Sequence, residues 1–195
     1  MRHSEIKRAT KETEIELSLE LDGTGNSNIE TGCGFLDHML TLFASHGRFD
    51  LAVKCRGDYE VDFHHTVEDV GICLGRAFSE ALGEKRGINR YGNMILPMDE
   101  ALVMTAVDFS GRSHLEWHIE ITPQKIGDFD TELAEEFWLG FVRNAQCTLH
   151  FMQFSGKNAH HIIECAFKSA ARSISQAVKI NPDYMNEIPS TKGVI

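Results

Sequence analysis

An α+β fold made by internal duplication is what the sequence predicts, and two alignments of the chain on itself carry that prediction. A His-His-x-x-Glu motif occurs twice, at His64, His65, Glu68 and at His160, His161, Glu164. At this offset of 96, Arg76 also falls on Arg172, Ser79 on Ser175 and Ala81 on Ala177. A second offset, 86, lays Glu14 with its strand ending at Asp22 on Glu100 with its strand ending at Asp108, and Gly25 on Gly111. The difference of ten between the offsets fits an insertion around Gly127 to Thr131.

Periodicity supplies the elements in order. Glu14 to Leu21 alternates Ile15, Leu17, Leu19 and Leu21 against Glu16, Ser18 and Glu20, as a strand with one wet face does, and Asp22-Gly23 turns it. Phe35 to His46 carries Phe35, Leu36, Met39, Leu40, Leu42 and Phe43 at helical spacing, with Gly47 as the expected left-handed residue past its end. Leu51 to Cys55 reads as a strand. From His65 to Leu82, the apolar positions Val67, Val70, Ile72, Leu74, Ala77, Phe78, Ala81 and Leu82 suit a long, largely buried helix ending near Gly83 and Gly87.

After Arg90-Tyr91-Gly92 the pattern restarts. Strands are expected at Met94 to Leu96, Ala101 to Asp108 and Leu115 to Ile121, a helix from Thr131 to Ala145, a strand from Cys147 to Phe154 and a helix from Ala159 to Val178. Pro182 and Pro189 interrupt the last segment, where Ser190, Lys192 and Gly193 have a composition able to fold over an anion.

Composition narrows the function. The chain of 195 residues is 42% hydrophobic and 25% charged, enough for one large domain or two small ones sharing a core. A formal net charge of −10 disfavours general binding to nucleic acid, so any anionic ligand must be gripped locally. No apolar run approaches the roughly 20 residues of a membrane helix, so no membrane association is expected. Five cysteines at wide spacings, without a Cys-x-x-Cys pair, and a polar start from Met1 to Thr10 point to reduced, buried thiols and a cytoplasmic setting.

Ten histidines, unevenly spread, carry the chemistry. Helical residues four apart share a face, so His64 with Glu68, and His160 with Glu164, can each chelate one ion. His65 and His161 point roughly 100° away and can reach a second ion. Two such motifs related by a pseudo-twofold axis would interleave their ligands. His38 and His150 offer further nitrogens, and Asp37, Asp62, Asp69 and Asp99 offer carboxylates that fix imidazole tautomers. A mixed nitrogen and oxygen shell without thiolate suits Mn²⁺, Fe²⁺, Co²⁺ or Zn²⁺ rather than Ca²⁺, and an octahedral demand favours Mn²⁺. A lone histidine is more often a satisfied core residue. So many imidazoles and carboxylates beside apolar helices are costly unless a metal or partners satisfy them. A two-metal hydrolase or a metal-glued shell would draw on the same ligand chemistry.

Over essentially its full length the chain resembles the imidazoleglycerol-phosphate dehydratase family. The match rests on Arg8-Ala-Thr-Lys-Glu-Thr-Glu14, Gly34-Phe-Leu-Asp-His38-Met-Leu, His46-Gly47, Asp62-Phe-His-His-Thr-Val-Glu-Asp69, Arg90-Tyr-Gly92, Met98-Asp-Glu-Ala101, Asp108-Phe-Ser-Gly-Arg112, Thr148-Leu-His150 and Gly156-Lys-Asn-Ala-His-His-Ile-Ile-Glu164. The resemblance implies two similar halves, residues 1–88 and 89–184, each a four-stranded sheet with two helices, the helices packed between the sheets. A tail, 185–195, would close on a phosphate site. It also implies a homo-oligomer of 24 subunits with two Mn²⁺ per active site between subunits. One ion would be held by His64, Glu68, His150 and His161, the other by His38, His65, His160 and Glu164.

The implied reaction is dehydration of imidazole glycerol phosphate to imidazole acetol phosphate through a di-manganese-bound imidazolate, in histidine biosynthesis. Glu14 is the expected proton-transfer residue, with Asp99, Glu100 or His46 supporting. Arg90, Arg112, Lys168, Ser190 and Lys192 occupy family positions for the substrate phosphate, where arginine forks suit phosphate bidentately and lysine acts as a point charge.

Overall fold

The structure is a computed structural model that describes residues 2–195; Met1, with which the first expected half begins, lies outside the described residues. Its elements are β1 His3–Ala9, β2 Thr13–Glu20, β3 Ser27–Glu30, α1 Gly34–Gly47, β4 Asp50–Gly57, α2 His64–Leu82, β5 Tyr91–Met98, β6 Ala101–Asp108, β7 His114–His118, β8 Lys125–Ile126, β9 Phe129–Asp130, α3 Leu133–Ala145, β10 Thr148–Ser155 and α4 Ala159–Val178, followed by a 3₁₀ turn at Pro182–Tyr184. The first sheet runs β1-β2-β4-β3 and the second β5-β6-β10-β7. In each, the third strand in sequence lies parallel to its neighbour while the other pairs are antiparallel. The duplication is therefore present in topology, with the same strand order and the same single parallel pair.

Helices α1 and α2 cover the first sheet, and α3 and α4 the second. The layers meet because α2 packs on α3 and α1 on α4, giving one continuous core that includes Phe43, Phe78, Trp138, Phe141 and Phe167. A methyl group on Gly71 would lie 2.3 Å from the Phe137 carbonyl oxygen, and one on Gly75 2.2 Å from that of Phe141. Only glycine lets α2 and α3 approach backbone to backbone.

Several expectations need adjustment. Strands β1 and β3, absent from the periodicity, complete the first sheet. β1 buries only Ser4 and Ile6, too thin an apolar face to announce itself. The left-handed residue after α1 is Arg48, with φ 62°, not Gly47. Gly47 is glycine for space, since a methyl there would sit 2.3 Å from the Phe49 ring. β7 stops at His118 rather than Ile121, because the Glu120 N–H leaves the ladder and is donated to the Gln153 side-chain oxygen. The β8–β9 hairpin, between β7 and α3, occupies the expected insertion.

The offset of 86 is displaced by the hairpin registers. Thr10 faces Thr13 across the first hairpin and Met98 faces Ala101 across the second, so Glu12, not Glu14, corresponds to Glu100.

Candidate metal centre and active site

Each His-His-x-x-Glu motif opens a helix, which a polar side chain starts. Asn158 accepts the His160 and His161 N–H groups with its side-chain oxygen, and Asp62 accepts the His64 N–H at 2.7 Å. Fixing the first turn fixes the fan of imidazoles that leaves it.

Packing of α1 on α4 assembles the clearest ligand set. His38 from α1 and His160 and Glu164 from α4 bring one donor atom each within 4.8 Å of one another. Nε2 of His160 lies 3.1 Å and Nε2 of His38 3.4 Å from Oε2 of Glu164. Burial of Glu164 works to raise its pKa, but the Lys168 ammonium on its other oxygen, together with His160, holds the carboxyl below the usual range. Two imidazole nitrogens and one carboxylate oxygen, converging at a partly open junction, fit a divalent first-row transition-metal ion.

The middle histidines are held differently. Nδ1 of His65 lies 2.9 Å from Asp58 and Nδ1 of His161 lies 2.8 Å from Glu100. A carboxylate on Nδ1 favours the tautomer that leaves Nε2 with a free lone pair, the arrangement a metal-ligating imidazole needs. These contacts raise the pKa of both imidazoles, and that of Glu100 is lowered to about 2 by His161 and by the Asn158 and Lys157 N–H groups. Asp58 and Glu12, whose Oε1 lies 3.8 Å from Nε2 of His65, were not among the expected residues. The Thr-Lys-Glu-Thr turn and the loop after β4 were the available signals.

Not all expected residues converge within one chain. His65 sits with Asp58 and Glu12 rather than with His38, His160 and Glu164. His64 and Glu68 share a face of α2, whereas His161 stands at the β5–β6 hairpin and His150 on the open face of the second sheet, its ring 5.8 Å from that of His114. Glu14 lies between buried Thr13 and Ile15, so it points to the open face of the first sheet, away from α2 and its histidines. Asp99, at φ 48° in the hairpin turn, places Oδ2 3.9 Å from Nε2 of His161. His46 is in the last turn of α1, its pKa lowered by burial and then by the charges of Lys168 and Arg172.

The expected phosphate residues divide into two places. Arg90 holds Asp108 through two nitrogens, at 2.7 and 3.1 Å, and donates to the Pro189 carbonyl, which ties the tail to the second sheet. Ser190 and Lys192 follow in that tail, whose terminal Ile195 packs on Gly111 beside Arg112. Lys168 is elsewhere, paired with Glu164.

Comparison with known proteins agrees with this fold. Residues 31–174 match the family model described as imidazoleglycerol-phosphate dehydratase. The chain is 53% identical over 194 residues to the imidazoleglycerol-phosphate dehydratase of Gluconacetobacter diazotrophicus, covering 100% of this chain and 98% of that one. It is 55% identical over 195 residues to that of Azorhizobium caulinodans, covering 100% and 99%. The crystal structure of the Staphylococcus aureus dehydratase superposes with a TM-score of 0.84 at 38% identity, over 92% of this chain and 99% of that one. The Pyrococcus furiosus structure gives 0.84 at 37%, over 97% and 100%.

Proposed function

Because this chain belongs to the imidazoleglycerol-phosphate dehydratase family, a family of hydro-lyases in histidine biosynthesis, we infer that it works as a cytoplasmic, Mn²⁺-dependent enzyme converting imidazole glycerol phosphate to imidazole acetol phosphate. The observation that carries the metal dependence is the convergence of His38, His160 and Glu164 from opposite halves of the chain. His65 would complete that set, and His64, Glu68, His150 and His161 would form the other. These ligands are spread over the surface of a single chain, which supports sites shared between copies in a large homo-oligomer of 24 subunits. Tyr91, Ile95, Met152 and Phe154, exposed on the open face of the second sheet, supply apolar surface for such association.

Two Mn²⁺ ions held by these histidines and carboxylates would supply positive charge beside the substrate imidazole, compensating for a carbon acid that has no adjacent carbonyl. The chain does the rest. Asp58 and Glu100 orient His65 and His161. Arg112, Ser190 and Lys192, with Arg90 holding the tail, receive the phosphate, and Lys168 serves as a further cation. A carboxylate from the first hairpin moves the proton at the side chain. Its position beside His65 favours Glu12, with Glu14 as the alternative, while Asp99 and His46 support from the rim.

Incubation of the purified protein with imidazole glycerol phosphate and Mn²⁺ tests the reading. Formation of the ketone imidazole acetol phosphate, abolished by a chelator and restored by Mn²⁺, is expected. Turnover that survives complete removal of metal, or no ketone at all, contradicts it.

A further inference from the structure

Among the described residues Asp69 is one of two buried carboxylate side chains, 5% exposed, the other being the expected ligand Glu164. It stands one turn beyond His65 on α2 and is served by two donors on the first hairpin, Arg8 Nη1 and Thr13 Oγ1, each at 2.5 Å. The hairpin turn is itself stiff, since Thr10 Oγ1 accepts the N–H groups of both Glu12 and Thr13, at 3.1 and 3.0 Å. A buried carboxylate is tolerated only with such partners, so burial and pairing together pin the turn to the helix that carries His65.

The second half solves the same task another way. Cys165 takes the place of Asp69, and its thiol donates to the Leu96 carbonyl at 2.9 Å. There the hairpin's own Glu100 clamps the turn, accepting the N–H groups of Lys157 and Asn158 as well as His161. Glu100 is thereby fully engaged. In the first half the clamp is Asp69, which leaves Glu12 exposed and held only at 3.8 Å from His65.

We propose that Asp69 is a positioning residue, locking the β1–β2 hairpin through Arg8 and Thr13 so that the Glu12 carboxylate stands ready beside His65. This rests on the reading of Glu12 as the proton-transfer group. A displacement of about 1 Å in such a group costs on the order of 100-fold in rate, whereas ground-state binding through the phosphate cations is untouched.

The test is a double-mutant cycle on the Mn²⁺-loaded enzyme, with kcat and KM measured for Asp69→Asn, Glu12→Gln and the pair. The expected result is a kcat at least about tenfold lower for Asp69→Asn with KM within about twofold, and no further loss when Asp69→Asn is added to Glu12→Gln. Equal losses in both backgrounds would mean that Asp69 acts through overall stability, and would overturn the proposal. Full kcat for Glu12→Gln alone would remove the reading beneath it, a result separable from the first. Should Asp69→Asn not fold, Thr13→Val takes its place in the cycle, and Thr13→Ser, which keeps the hydroxyl, is expected to restore kcat. Failure of that rescue also counts against the proposal.

Discussion

The two places where the halves meet are built on one plan and used in opposite ways. At both, a helix opening with His-His-x-x-Glu packs on the shorter helix of the other half. Where α4 meets α1 the crossing is polar: His38, His160 and Glu164 converge, with Phe35 edge-on to His160 at 5.2 Å. Where α2 meets α3, Gly71 and Gly75 lie against the Phe137 and Phe141 carbonyls, and no side chain comes between. Counting back from the matching left-handed caps Arg48 and Gln146, His38 corresponds to Glu136, so the second junction has no third imidazole. Duplication supplied two His/Glu pairs, His64 with Glu68 and His160 with Glu164. Divergence gave one of them its third donor from within the chain and spent the other junction on close packing.

Loss of a ligand at the polar junction should be the largest effect. His38→Ala or Glu164→Ala is expected to lower activity by more than the roughly 10- to 100-fold typical of groups that only orient a ligand, while thermal unfolding stays cooperative. Activity assays paired with calorimetry check this, and unaltered turnover would erase the contrast between the junctions. Asp58→Asn, which touches a ligand only through His65, is expected to weaken Mn²⁺ binding by about 10- to 100-fold, read by titration calorimetry. At the apolar junction the outcome should reverse. Gly71→Ala forces the helices apart and should cost about 1–3 kcal/mol or more, a fall in Tm of about 2–4 °C per kcal/mol, with the α1–α4 ligand set intact.

The smallest effect concerns the thiols. Burial first of all pushes Cys55 up to about 12 and Cys73 to about 11, so folded protein at pH 8 should react with a thiol reagent only as fast as it opens. Because these pKa values are raised in the folded state, their contribution to stability is complete below about pH 9. It is lost as pH climbs from there toward 12, when unfolded thiols ionise first. Denaturant midpoints across that range provide the check.

Much of this was legible from residue order where periodicity is strong. β6 and α4 have the expected bounds because their apolar faces are long and regular. β1 and β3 leave no periodic signature because these edge strands bury too little to make one. Helical spacing placed His160 with Glu164, and the family resemblance added His38 to them. It could not find Asp58, since a partner lent by a loop follows from tertiary packing and not from spacing. The alternation that revealed β2 also held the information that Glu14 shares the wet face with Glu16 and Ser18, opposite to α2. Parity along the strand was the unused signal, and the two threonines flanking Lys11-Glu12 marked the turn where the better-placed carboxylate sits.

Where the ions bind decides whether copies of the chain share their sites. Anomalous X-ray diffraction from Mn²⁺-loaded crystals at the manganese edge should show two peaks per chain, one bounded by His38, His160 and Glu164 and closed by His65 of a second copy. Manganese density absent from the His38, His160 and Glu164 junction, or a peak there that no His65 of a second copy approaches, would contradict it.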